Sequence, residues 1–272
     1  MVQSRGLGDV YKRQAPMGTN AYVAKYDSSG TLLWVKQFTA MTNSGPFITT
    51  VIDKEANVYI CGYFIGTIDT DPGPGVNNLT AGGDDGLFLA KLDSDGNFLG
   101  ANMVGNAYNG GQARIAINGD FIYFSDQFHS WISFYSQTDT TDLVSFGNAD
   151  IFVARVDTLL NVHWAKQIGG TASDNFVELA ADTFGSVYIS GHFWGTADFD
   201  PSMGTAWLTS NNLMDAFLCK LDRYGNYFWA DHFTSNGTME ETIDLHINDA
   251  NELYWFGKTF NSAPWVHTGG FT

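Results

Sequence analysis

Two pairs of carboxylates, Asp69 with Asp71 and Asp198 with Asp200, are the groups in this chain whose spacing most suggests chemistry. In extended backbone, residues two apart face one side, so each pair aims two oxygen donors at one point. Joined by loop carbonyls and by Asp84, Asp85 or Asp215, either pair has the donor type that Ca2+ prefers. Each pair also runs into a proline, Pro72 or Pro201, and an aspartate ahead of proline equally opens a turn. Corresponding positions elsewhere hold Ser133 and Tyr135, or Trp265 and His267. That loss of acids favours the turn over calcium. Asp93-Ser94-Asp95-Gly96-Asn97 begins like a calcium loop, but Gly105 and Asn106 stand where its closing acid belongs. A hairpin is the better reading there. Nothing in the sequence requires a cofactor, and Ca2+ is the ion these acids admit.

Four basic residues, Lys25, Lys91, Arg155 and Lys220, take one place in a recurring segment. They could line a channel and draw in an anion. Buried charges are usually paired, so a repeated ion pair with an aspartate such as Asp53 or Asp182 is expected instead. The six histidines share no repeat position, and no His-x-x-x-His, Cys-x-x-Cys, Gly-x-Ser-x-Gly or phosphate-binding glycine loop occurs. No catalytic residue is assigned. The tryptophans Trp131, Trp194, Trp207 and Trp265 fall in or near long links, where an exposed ring could stack on a sugar. Packing against their own sheet is the commoner fate of such rings.

The elements that must position these groups repeat. Ala21–Asp27, Leu87–Asp93, Ile151–Asp157 and Ala216–Asp222 are copies of one segment, with the basic residues 66, 64 and 65 positions apart. So regular a period predicts units that each bury a neighbour's apolar face. Each unit holds four short β-branched or aromatic runs bounded by turn residues, which read as strands. Asp27, Asp93, Asp157 and Asp222 open the hairpins between third and fourth strands, and Gly30, Gly96 and Gly225 close three of them. In the remaining copy Asn161 is expected to supply the left-handed residue. Runs such as Ile151-Phe152-Val153-Ala154 are apolar at successive positions, so both faces must be covered. Four-stranded antiparallel sheets stacked around an axis give that cover. The fold expected is therefore all-β, a β-propeller-like array with complete blades at 47–104, 112–168 and 176–233 and half blades at 21–38 and 241–260. An open arc is preferred over a closed four-bladed ring. The surplus length, for example Thr67 to Gly83, is expected as a long loop on one rim of each complete blade.

Totals bound the rest. The net charge of −16 argues against nucleic acid and anionic membrane as partners. No stretch approaches the roughly 20 apolar residues of a spanning helix. Cys61 and Cys219 replace small residues of other copies and are expected as buried fillers without a disulfide. Residues 9–14, Asp-Val-Tyr-Lys-Arg-Gln, look like the in-frame translation of a sequencing-library adapter. Residues 1–14 are accordingly set apart as an artefact, and 15–272 are read as one repeat domain truncated at both ends of a longer, metagenomic protein.

The third period, with Gly169-Gly170, Asp174, Asp182, Gly185, Val187-Tyr188-Ile189-Ser190-Gly191 and Asp198-Phe199-Asp200-Pro201, resembles the bacterial SBBP-type β-propeller repeat. The resemblance covers residues 20 to about 262. The second period departs from it, with no Trp at Gly100 in the strand preceding it and Asp126 in place of a glycine. The resemblance implies a secreted or cell-surface protein without assigned catalytic residues. A non-enzymatic binding or structural module is expected, meeting a protein or glycan at the rim bearing the long loops. The alternative is a glycan-acting propeller, hydrolase or lyase, with catalytic residues partly outside the chain.

Overall fold

A computed structural model describes residues 20–40, 47–108, 111, 113–234, 239–259 and 266–267. All regular structure in them is strand, and no helix is long and apolar enough to cross a membrane. The first pair is β1 (Asn20–Tyr26) and β2 (Leu32–Ala40). The first complete unit runs through β3 (Phe47–Ile52), β4 (Val58–Phe64), β5 (Thr67–Asp69), β6 (Asn78–Thr80), β7 (Asp85–Leu92) and β8 (Phe98–Ala107). The second repeats it as β9 (Arg114–Asn118), β10 (Phe121–Phe128), β11 (Trp131–Tyr135), β12 (Thr140–Val144), β13 (Asp150–Asp157) and β14 (Val162–Gly170). In the third, the strands run longer: β15 (Asp174–Ala181), β16 (Val187–Asp198), β17 (Trp207–Leu221) and β18 (Tyr227–Thr234). The last strands are β19 (Glu240–Ile247), β20 (Leu253–Thr259) and β21 (Val266–His267).

Within a unit the antiparallel order is sequential, as in β3-β4-β7-β8. Side chains that alternate along a strand enter different cores. On β7, Leu87 and Leu89 join Phe124, Phe134 and Phe152 of the following unit. Phe88, Ala90 and Leu92 turn the other way, onto Phe38 and Ile68. On β13, Phe152 and Ala154 face back while Ile151 and Val153 join Ile189 and Phe217 of the next unit. Leu218 then meets Leu245 of β19. Each strand apolar on both faces is thus a wall between two cores, and a fully buried Phe contributes about 2–3 kcal/mol. This is the stacked-blade plan of a propeller.

Two expectations need correction. The surplus length does not form free rim loops. It folds as strands that pair with the last strand of the preceding blade: β5 on β2, β11 on β8, the end of β16 on β14, and β21 on β18. The short link runs find their register on a neighbour's edge, which no local pattern encodes. The arc is open, as the repeats led one to expect: among the described residues β1 pairs only with β2 and β20 only with β19. Turn chemistry needs one change too: the left-handed residue of the third hairpin is Leu160, with φ of 68°, rather than Asn161. Asn161 instead caps Asp157 through its amide. Cys61 and Cys219 are buried free thiols.

Candidate functional site

The hairpin aspartates act on their own turns. One oxygen of Asp27 accepts the amides of Ser29 and Thr31, Asp93 those of Asp95 and Asn97, Asp157 those of Leu159 and Asn161, and Asp222 those of Tyr224 and Asn226. Hydrogen bonds from Ser29 and Asn97 hold Asp27 and Asp93 below the usual carboxylate range. At Asp157 and Asp222 burial pulls upward, and the turn amides still win.

These tightened hairpins are the targets of the repeated basic residues. Lys25 Nζ donates to Ser94 O at 2.7 Å, Lys91 Nζ to Thr158 O at 3.5 Å and Arg155 Nη1 to Arg223 O at 2.5 Å. Every acceptor is the carbonyl just after the hairpin aspartate of the next blade. Trp34 and Trp164 donate their indole N–H to two of the same carbonyls, Ser94 O and Arg223 O, at 3.1 Å. Lys220 alone of the four meets the expected carboxylate: its Nζ lies 3.2 Å from Asp182 Oδ2 and 2.7 Å from Tyr188 OH. Burial opposes the Lys220 charge, yet those two partners keep its pKa above the ordinary value. Lys25, Lys91 and Arg155 therefore knit blades together, whereas Lys220 holds the second and third strands of its own blade.

The acid pairs proposed for calcium close the links. Asp69 Oδ1 accepts the amides of Asp71 and Asn77, and Asp198 Oδ1 those of Asp200 and Ala206. Asp71 and Asp200 bind the amides of Gly73 and Ser202. The chain wraps each second acid so closely that a Cβ on Gly75 or Gly204 would collide with it. Among the described residues no three His, Cys, Asp or Glu side chains gather where a metal ion would fit.

The tryptophans are dispersed. Trp131 is half-buried on β11, Trp194 is half-buried beside His192, and Trp207 is 58% exposed at the start of β17. Trp265 lies outside the described residues. Around the link strands two clefts adjoin. One, of about 680 Å3, is lined by Trp131, Ser133, Asp142 and Val144. The other, of about 380 Å3, is lined by Phe146, Lys166, Asp198 and Asp200. Val144, Phe146, Met203 and Trp207 are exposed on the links that carry these clefts, and Val76 is exposed on the link of the blade before.

The sequence reading missed a tier of buried acids at the seams between blades. Asp150 and Asp174 meet at one seam, and at the next Asp215 lies beside Glu240. Asp126 with Tyr63 occupies the seam before them. Burial pushes Asp126 and Asp174 up to about 7 and Asp215 up to about 6. His232 Nε2 lies 3.7 Å from Asp215 Oδ2, but burial lowers the imidazole pKa, so near pH 7 an uncharged ring faces the carboxyl and the contact is not an ion pair. One signal could have found the tier: Asp85, Asp150 and Asp215 are spaced 65 apart, the first two opening β7 and β13 and the last lying within β17.

No family model matches this chain. Over 128 residues, 46% of its length, it is 29% identical to an uncharacterized WD repeat-containing protein of Acanthamoeba polyphaga mimivirus. That match spans 9% of the relative's own length. A repeat-bearing relative agrees with the repeated sheets seen here.

Proposed function

We propose that this chain is a non-enzymatic interaction module of a larger secreted or cell-surface bacterial protein, meeting a protein partner through its link face. The observation that carries the reading is the row formed by Val144, Phe146, Met203 and Trp207, all exposed on links of neighbouring blades. Interfaces of this kind centre on aromatic, aliphatic and Met side chains within a polar rim. The described acids support it from the other side. The hairpin and link aspartates accept backbone amides, an architectural use that employs them in holding the scaffold. The relative described as WD repeat-containing supports a binding or scaffold role. The motif residues Tyr188, Gly191, Asp198 and Asp200 support a place among SBBP-type repeats, and with it the extracellular location.

Site-specific photocrosslinking tests this. A photoreactive residue at Phe146 or Trp207 should give discrete protein adducts on the producing cell, and one at Leu99 or Phe228 on the outer strands should give few. The double variant Val144→Glu, Phe146→Glu should melt like the parent chain and lose the partner at least tenfold. Adducts confined to the outer strands would move the interface elsewhere. Turnover of a chromogenic glycoside by the purified chain would refute the non-enzymatic reading.

A further inference from the structure

We propose that Asp150 and Asp174 bind a divalent cation of the Ca2+ type at the seam between the second and third blades. Asp150 opens β13 and Asp174 opens β15, and both stand at the end of the sheets that carries the links. They are 0% and 1% exposed. Asp150 Oδ2 accepts the Phe146 amide at 2.9 Å and the Gln167 side-chain amide at 2.5 Å. Asp174 Oδ2 accepts the Gly170 amide at 2.6 Å. The second oxygen of each, Oδ1, is buried without a hydrogen-bond partner. Gly169 separates the two carboxyls: a Cβ there would lie 2.7 Å from Asp150 Cγ and 2.9 Å from Asp174 Oδ2. Only a residue without a side chain leaves the gap between them open.

None of the ion pairs among the described residues involves either acid. Two buried carboxylates with unmatched oxygens are costly unless something positive joins them. A proton or a cation would serve. A protonated acid offers little that asparagine at the same place would not, so a purely neutral seam gives no reason for acids. Yet acids recur at the equivalent positions Asp85 and Asp215, and Glu240 is the counterpart of Asp174. An ion does need the charge. Ca2+ accepts six to eight oxygens at about 2.3–2.6 Å in loose geometry, so two carboxylates can be completed by backbone carbonyls and water. Mg2+, which demands a near-ideal octahedron at about 2.0–2.1 Å, fits such an irregular seam less well.

The test begins with the chelator-treated chain at pH 8. A calorimetric titration with Ca2+ alone should show saturable uptake, and the melting temperature should rise with added Ca2+ by mass action. Asp174→Asn and Asp150→Asn, which keep the shape and delete a charge, should each abolish that rise. Asp198→Asn should keep it, which separates the seam from the link loops. Absence of Ca2+ uptake by the wild-type chain overturns the proposal without any variant having to fold. So does an undiminished Ca2+ response in Asp174→Asn. A melting temperature indifferent to Ca2+ that climbs as pH falls through 7 would show a shared proton instead, and would equally overturn it.

Discussion

Asp126 stands where other blades carry Gly62, Gly191 and Gly257, and it is 4% exposed. Burial pushes its carboxyl up to about 7, and the Gln127 amide and Arg114 charge offset only part of that. An unfolded chain releases this proton near pH 4, about three units earlier. The stability that the protonated group supports is therefore complete below pH 4, falls as pH rises through 7, and stays lost above it. Asp126→Asn removes the charge and keeps the shape. At pH 8 it should be more stable than the parent by about 2 kcal/mol, a value discounted from the roughly 4 that the whole shift would give. At pH 4 the gain should vanish, and urea unfolding at both pH values checks this. An equal gain at both would place the cause in packing rather than ionisation. At this scale legibility divided by reach. The hairpin aspartates could be read because such a side chain closes the turn it begins. Which acids meet at a seam was illegible, because Asp150 and Asp174 belong to different blades and only assembly makes them neighbours.

Between elements, one carbonyl per seam carries the contact of basic residue and indole, and the seams are unequal. Arg223 O receives both Arg155 Nη1 and Trp164 Nε1. Thr158 O receives only a long contact from Lys91, because Gly100 occupies the place of the tryptophan. A hydrogen bond from a charged donor contributes about 1.5–3 kcal/mol when well made, and little when stretched. Arg155→Met should therefore cost about 1–2 kcal/mol and Lys91→Met below about 0.5, measured by denaturant midpoint. Equal losses would mean that aliphatic packing of the stems, rather than the shared carbonyl, sets the value. Strands and hairpins were legible here because their apolar runs and turn residues are local. The link strands were not. Thr67–Asp69 and Asn78–Thr80 are three residues each, too short to show a period, and β2 of the preceding blade supplies the register of the first.

At the scale of the molecule, the stacked and open plan was legible because a 64–66-residue period dictates identical walls, while the choice between arc and ring rests on two edges. In the complete blades the second and third strands pair Tyr59 with Lys91, Tyr123 with Arg155 and Tyr188 with Lys220. The same register would set Tyr254 of β20 opposite Lys25 of β1, yet among the described residues neither strand has that partner. Unpaired edges of seven residues each recruit strands from other molecules. Tyr22 and Tyr26 on β1, and Tyr254 and Phe256 on β20, are exposed beside those edges and add apolar area to such a joint. Its symmetry is head-to-tail, so each added molecule presents a fresh edge and growth need not stop at a dimer. The net charge of −16 opposes approach at low salt. Sedimentation velocity on the isolated chain from about 1 to 100 µM should therefore reveal oligomers that grow with concentration and with added salt. A peptide of the β1 sequence, Asn20–Tyr26, should suppress them by capping β20. A single sedimenting species across that range in high salt would show that twist or local charge protects both edges.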